Sequence, residues 1–221
     1  MGSSMPPSLL ACGDRVRSHY LWVAPCPLPG AIPHLPSAQA SNDRILPPQL
    51  LAAAQPRQGD IFVDVGSGVG RLILTAALLW PSAWANCHGI ELLPELHGAA
   101  IDARVRFDAL PSPLSTLPIA PVEYSAIDVY SASGGATLRE ADVVFVYAVT
   151  WARDAQGRLT ELSHALARSG IKQDARIITV GVTLLPEASG VRFERVRSLQ
   201  GDNEETGPDS LGHIFRVVRD T

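Results

Sequence analysis

The chain has 221 residues, of which 46% are hydrophobic and 18% are charged, and its net charge is −4. This length fits one domain of ordinary size with a full core, and the composition is too apolar for a disordered chain. The acidic balance leaves no surplus of positive charge for nucleic acid or anionic membrane, whereas a basic substrate would suit it.

The cysteines and the hydropathy pattern indicate an intracellular protein of the nucleus or cytoplasm. Cys12, Cys26 and Cys87 form no Cys-x-x-Cys pair and cannot all pair with one another, so we expect neither disulfides nor a zinc site. No apolar run reaches the roughly 18 residues of a membrane span, and the N-terminus lacks the basic region of a signal peptide. We therefore expect no membrane contact and no bound metal.

The first 48 residues are rich in proline and hold nine of the chain's 18 prolines. Proline breaks helices and lacks a backbone donor. We therefore predict an extended arm or lid over residues 1–48 and a single domain over residues 49–221.

From about residue 49 onwards, apolar runs alternate with segments of helical periodicity. The predicted helices are 49–55, 71–80, 94–107 and 159–169, and the predicted strands are 61–65, 86–92, 122–130, 142–149, 175–185, 191–199 and 212–220. The last two strands alternate polar and apolar residues around an acidic loop, which predicts an antiparallel hairpin. Strands separated by helices form parallel sheets that are covered on both faces. The predicted fold is α/β, with a seven-stranded, mostly parallel sheet and a C-terminal antiparallel hairpin.

The turn after the first of these strands reads DVGSGVG, from residue 64 to residue 70. Gly66, Gly68 and Gly70 let the backbone turn tightly and let a ligand approach it closely. Dinucleotide-binding loops have the spacing G-x-G-x-x-G, whereas this loop has G-x-G-x-G. Asp64 would repel a pyrophosphate and attract a cation. The loop therefore favours S-adenosylmethionine (SAM), which carries an ammonium and a sulfonium, over a nicotinamide dinucleotide.

Two more carboxylates follow the next two strands. Glu91, followed by Leu92, ends the second strand, where an acid can accept hydrogen bonds from both ribose hydroxyls. Asp128 ends the third strand, where it could accept from the adenine amino group while Val129 lies against the ring. Each acid alone also fits a helix cap, a strand end or a turn. Three acids after successive parallel strands share one edge of the sheet and predict a nucleoside site there.

These segments resemble a known family. FVDVGSGVGRLIL (62–74) and CHGIELLPELHGAA (87–100) are similar to the Dot1-type histone lysine methyltransferases, and the resemblance covers roughly residues 45–185. It implies a class I, Rossmann-like methyltransferase fold, SAM as cofactor and a lysine side chain of a protein as acceptor. The implied cofactor contacts are Asp64, Gly66 and Gly68 for the methionine part, Glu91 for the ribose, and Asp128 and Val129 for the adenine.

The segment after the fourth strand departs from the family, which has a Val-Asn-Asn-Phe-type segment there. This chain has Tyr147 and Ala148 in place of the two asparagines. We predict that Tyr147 and Trp151 line a channel for the amine, which aromatic walls would desolvate and attract. The family's upstream Tyr-Gly-Glu segment and its basic, nucleosome-binding extensions have no counterpart. Binding of nucleic acid or a nucleosome is therefore left open.

Several functions remain compatible with these patterns. The leading one is a protein-lysine N-methyltransferase of the Dot1-like group. The first alternative is a SAM-dependent methyltransferase that acts on a small molecule or RNA. The second is a non-catalytic SAM-binding module, which the missing asparagines support. A nicotinamide-dependent dehydrogenase is disfavoured by the glycine spacing and by Asp64.

Overall fold

The computed structural model describes residues 46–110, 118–148, 150–203 and 207–219. Nearly all of the predicted arm, residues 1–48, lies outside these ranges. Its last three residues, 46–48, begin the first helix, α1 (Leu46–Ala53). Pro47 and Pro48 fall in the first turn of this helix, where proline is tolerated because an N–H group there has no helical partner.

The described ranges contain four further helices and eight strands. The helices are α2 (Arg71–Leu79), α3 (Pro94–Asp108), α4 (Ala132–Glu140) and α5 (Thr160–Ser169). The strands are β1 (Asp60–Val65), β2 (Trp84–Glu91), β3 (Val122–Ala126), β4 (Val143–Val146), β5 (Arg176–Val180), β6 (Glu187–Ala188), β7 (Val191–Asn203) and β8 (Gly207–Arg219). No described helix combines the length and the hydropathy that a membrane span requires.

The eight described strands form one sheet in the order β3-β2-β1-β4-β5-β8-β7-β6. Strands β1 to β5 run parallel, and β8 and β7 continue the sheet in antiparallel pairs. The predicted α/β fold with a C-terminal antiparallel hairpin is confirmed. The sheet has one strand more than the seven predicted. The additional strand is β6, which pairs with the start of β7 across a turn at Ser189 and Gly190. Two residues are too few to reveal a strand by alternation.

Helix α4 lies in SASGGATLRE (131–140), for which the sequence pattern predicts no element. Its two glycines lower the helix propensity. Gly134 is required, because a Cβ there would collide with the carbonyl oxygen of Asp128. The Ser131 hydroxyl accepts a hydrogen bond from the Gly134 N–H at 3.1 Å and caps the helix. Leu138 is fully buried, so packing on the sheet holds a helix that propensity alone would not favour.

The sheet buries an apolar cluster on each of its faces, because alternate residues of a strand point in opposite directions. Phe62 and Phe145 pack with α1 and α2 on one face, called here the α1/α2 face. Val63 and Val144 pack with α4 and α5 on the other, the α4/α5 face. Side chains at the strand ends therefore belong to one face or the other.

A buried ion pair joins the amino ends of β1 and β5. Arg176 Nη2 lies 2.7 Å from Asp60 Oδ2, and both side chains are 10% exposed. Arg176 Nη1 also donates to the Gln55 carbonyl at 2.9 Å. These charges are satisfied within the fold and lie at the edge opposite the glycine loop.

Candidate active site

The loop between β1 and α2 presents bare backbone at the carboxyl edge of the sheet. Gly66, Gly68 and Gly70 have left-handed φ angles of 74°, 55° and 76°, which residues with a side chain rarely adopt. The Gly66 and Ser67 N–H groups donate to the Ile90 carbonyl of β2 at 2.9 and 3.1 Å. Among the described residues, nothing lies within 4 Å of the place that a Cβ would take at Gly68. A ligand can therefore approach the main chain directly at this glycine.

Tyr124 of β3 supports the loop from beneath. Its hydroxyl donates to the Gly70 carbonyl at 3.1 Å, and the same carbonyl accepts the Leu74 N–H of α2 at 3.2 Å. A Cβ at Gly70 would lie 2.5 Å from the Tyr124 hydroxyl oxygen, so only glycine fits against the ring. Burial raises the pKa of Tyr124 well above its usual value, so the phenol stays protonated and remains a donor near neutral pH.

Gly89 of β2 leaves room for two side chains under the loop. A Cβ there would lie 2.7 Å from Ser67 Oγ and 2.8 Å from Tyr124 Cδ1. Ser67 is 8% exposed, and its hydroxyl has no hydrogen-bond partner in the described part of the chain. The position of the glycine loop thus also depends on Gly89 in the neighbouring strand, a residue that the sequence pattern did not indicate.

Asp64 lies in β1, two residues before the loop, and is 4% exposed. It pairs in register with Gly89 of β2 and with Phe145 of β4, which places it mid-sheet on the α1/α2 face. A carboxylate in such a dry place attracts a cation more strongly than one in water, since the local dielectric is low. The structure thus puts a buried carboxyl group at the base of the loop, and its contact with the cationic end of SAM stays a prediction.

Glu91, the predicted ribose acceptor, also holds the glycine loop. Its Oε2 accepts the Gly68 N–H and its Oε1 accepts the Leu93 N–H, both at 2.9 Å. The residue is 7% exposed. Each carboxylate oxygen has a further lone pair, so both oxygens can still accept from a ribose hydroxyl. Leu92 beside it is 61% exposed and offers apolar surface that a nucleoside would cover.

The chain turns sharply at Asp128, after β3. Asp128 Oδ1 accepts the Tyr130 N–H at 2.9 Å, and its carbonyl accepts the Ser131 hydroxyl at 2.6 Å. Val129 is 7% exposed and packs in the cluster of the α4/α5 face. The side chain of Val129 therefore packs largely within the fold, and its contact with the adenine ring stays a prediction.

The two aromatic residues predicted for the acceptor channel pack on opposite faces of the sheet. Tyr147 is half-buried against the cluster of the α1/α2 face, the face that carries Asp64. Trp151 packs against the cluster of the α4/α5 face, and its Cζ2 lies 3.6 Å from the Cβ position at Gly66. Its ring centroid is 6.2 Å from that of Tyr130, a residue that the sequence analysis missed. The structure thus separates two side chains that were assigned to one wall.

The family described as histone methylation protein DOT1 matches residues 47–200 of the chain. These residues include the glycine loop and all three acids at the strand ends, and they make up more than half of the chain. The chain belongs to this family. As a DOT1-family protein, it is a SAM-dependent methyltransferase, and its cofactor is SAM. The curated proteins give no significant match to the chain.

Solved structures share the fold of this DOT1-family chain. An RNA methyltransferase from Salinibacter ruber, in complex with S-adenosyl-L-homocysteine (SAH), is 18% identical at a TM-score of 0.50, covering 79% of this chain and 92% of that one. TrmN from Thermus thermophilus is 17% identical at a TM-score of 0.54, covering 79% and 48%. Haemonchus contortus phosphoethanolamine N-methyltransferase 1 is 11% identical at 0.52, covering 79% and 42%. At such low identities these comparisons establish the fold and not the acceptor.

Three groups at the carboxyl edge of the DOT1-family chain are suited to SAM by their chemistry. Asp64 supplies buried negative charge, Gly68 supplies approachable backbone, and Leu92 supplies exposed apolar surface. Other chemistry is not indicated there. Burial raises the pKa of Cys87 to about 12, so this thiol stays neutral and is a poor nucleophile. The described residues contain no group of His, Cys, Asp and Glu side chains that could hold a metal ion.

Proposed function

We propose that the chain methylates the side-chain amine of lysine in a protein substrate. The observation that carries this proposal is the match to a family described by histone methylation, over residues that include the whole candidate cofactor site. The net charge of −4 supports it, because an acidic protein attracts a basic polypeptide.

Methyl transfer from SAM to an amine requires the protein mainly to orient the reactants and to exclude water from them. When bound, SAM supplies a methyl group on a positively charged sulfur, which becomes a neutral thioether as the methyl carbon passes to nitrogen. The chain must hold the amine in line with that carbon, which can lower the barrier by about 7–11 kcal/mol. It must also keep the amine neutral, since lysine in water has a pKa of about 10.4 and is protonated. Desolvation by apolar side chains lowers that pKa.

Tyr147 is the described residue best placed to receive the amine. It follows β4 directly, one position beyond the pair formed by Val65 and Val146. It also lies on the face of the sheet that carries Asp64. Its half-buried ring would exclude water from an approaching amine, and its hydroxyl can accept a hydrogen bond from an amine N–H. The ammonium gives its proton to water as it enters apolar surroundings, so the neutral amine attacks without a general base.

Two alternatives keep specific support. Proteins of similar fold include methyltransferases of RNA and of phosphoethanolamine, which keeps an RNA or small-molecule acceptor open. The acidic net charge disfavours RNA, since phosphate binding relies on Lys and Arg. The replacement of both family asparagines by Tyr147 and Ala148 supports a non-catalytic SAM-binding module.

Transfer of radiolabelled methyl groups from SAM to three acceptor mixtures distinguishes these functions. The mixtures are basic proteins that include histones, total RNA, and small primary amines. We expect label in protein, recovered as methyl-lysine after hydrolysis. Label confined to RNA or to a small product would replace lysine by the first alternative. No label, together with measurable SAM binding, would establish the binding module instead.

Paired variants show whether this site produces the label. Asp64→Asn keeps the shape of the side chain and removes its charge, so methyl transfer should fall by at least about tenfold, or roughly 1.4 kcal/mol. Asp102→Asn removes a charge from the exposed surface of α3 and should leave transfer unchanged. Equal activity of the two variants would place the site elsewhere.

A further inference from the structure

Trp151 borders the start of the glycine loop, at the carboxyl edge of the sheet that Tyr147 approaches from the other face. Its indole Cζ2 lies 3.6 Å from the Cβ position at Gly66, the first glycine of the loop. Its backbone N–H donates to the Ala148 carbonyl, just beyond the end of β4, at 3.2 Å. The residue is half-buried and packs against the cluster of the α4/α5 face.

Tyr130 forms the second side of this corner. Its ring is tilted by 54° to the indole of Trp151, with 6.2 Å between the centroids, and the residue is 47% exposed. It follows Asp128 by two residues, and its N–H donates to that carboxylate. The aromatic pair therefore connects the ends of β3 and β4 to the glycine loop at the carboxyl edge.

The surroundings of the pair are negatively charged. Burial raises the pKa of Tyr130, and the negative charges of Glu161 and Asp128, which act on its hydroxyl, raise it further. An aromatic corner inside a negative field is suited to a cation more than to a neutral ring.

The charges of SAM decide which of its parts lies in this corner. Both positive charges, the ammonium and the sulfonium, belong to its methionine end, whereas the ribose is uncharged. Asp64 attracts the charged end to the start of the loop, and Glu91 lies at Gly68, further along the loop. The first glycine, which Trp151 covers, therefore marks the charged end.

We propose that Trp151 and Tyr130 form an aromatic corner that holds the sulfonium centre of SAM by cation–π attraction. The corner makes the site sensitive to the charge on sulfur, so it favours SAM over the neutral product SAH and helps the product to leave. The inference concerns the cofactor and holds whichever acceptor the enzyme uses.

Calorimetry with SAM and with SAH tests this corner, because the two ligands differ only in the methyl group and the charge that it confers on sulfur. Trp151→Leu keeps an apolar side chain and removes the π face. We expect its affinity for SAM to fall by about three- to tenfold, the range of a partly desolvated cation–π contact, and its affinity for SAH to change by less than about twofold. Trp80→Leu, at the far end of α2, is the matched control and should leave both affinities unchanged.

Tyr130→Leu is the second variant, since a side chain that is 47% exposed can be replaced with little risk to the fold. It should lower SAM affinity by about two- to threefold and spare SAH, whereas Tyr130→Phe, which keeps the ring, should behave like the parent. Equal losses for SAM and SAH in the Leu variants would show an ordinary apolar wall and overturn the proposal. Unchanged affinity for both ligands would place the pair outside the cofactor site and overturn it as well.

Discussion

The substitution Glu91→Gln tests the double role that the structure gives to this carboxylate. Glu91 accepts the Gly68 N–H and the Leu93 N–H, one on each oxygen, at 2.9 Å. Glutamine keeps one acceptor oxygen and replaces the other by an NH₂ group. One of the two backbone N–H groups would then face a donor, in a place where the wild-type residue is only 7% exposed.

The expected cost follows from these two bonds. A hydrogen bond to a charged group contributes about 1.5–3 kcal/mol, and a buried N–H left without an acceptor costs about 1–3 kcal/mol. Since some water can enter an edge site, we expect a loss of about 2–4 kcal/mol in the free energy of unfolding. For a domain of this size that corresponds to a fall of roughly 5–12 °C in melting temperature. Affinity for SAH should fall by at least about tenfold, because both the ribose acceptor and the anchor of Gly68 are altered.

Urea unfolding and SAH calorimetry measure the two losses separately. Glu95→Gln is the control: it makes the same chemical change in the exposed first turn of α3 and should shift stability by less than about 1 kcal/mol. If Glu91→Gln unfolded at the same urea concentration as the parent, the carboxylate would not hold the loop. If stability fell but SAH affinity did not, Glu91 would be a structural anchor and not a ribose acceptor.

Three further outcomes follow from the same geometry. Gly89→Ala should lower stability by about 1–3 kcal/mol and weaken SAH binding, because a Cβ there overlaps atoms under the loop. Its control, Gly98→Ala in open space on α3, should instead stabilise the protein by up to about 1 kcal/mol. Equal effects of the two variants on urea unfolding would refute the steric argument. Tyr124→Phe should lower the free energy of unfolding by about 0.5–1.5 kcal/mol, because it removes the hydrogen bond to the Gly70 carbonyl. Calorimetry should also show weaker SAH binding, and unchanged unfolding and binding would contradict this prediction. Burial, followed by the positive charge of a nearby arginine, lowers the pKa of His213 below its usual 6.5. The unfolded chain therefore binds more protons than the folded chain just below that pH, and stability falls as the pH drops. His213→Asn should make stability less dependent on pH between about pH 7 and 5, and an unchanged pH profile would refute the assignment.

The edge that carries the site is predictable from periodicity. Buried parallel strands such as β1 and β4 are continuous apolar runs, so the residues at their ends are visible in the sequence. Asp64, Glu91 and Asp128 lie within two residues of the ends of successive strands for this reason. The backbone angles of the loop are likewise visible, since alternate glycines at a strand end signal positive φ.

Contacts between distant segments are not visible in the same way. Tyr124 lies under Gly70 across a separation of 54 residues, and no local pattern encodes that contact. The face of Trp151 could not be assigned, because residues beyond a strand end leave its strict alternation. Helix α4 was missed because tertiary packing of Leu138 overrides the low propensity of its glycines.

A crystal structure of the chain with SAH bound tests most directly the claim that the cofactor lies at the carboxyl edge of β1, β2 and β3. We expect the ribose hydroxyls at about 2.6–3.2 Å from the Glu91 carboxylate, the amino group of the methionine end towards Asp64, and the sulfur against Trp151. SAH bound elsewhere would contradict it, for example in the cavity of about 370 Å³ between β1, β2 and α4 that His88 lines, with Glu91 left to its two backbone partners.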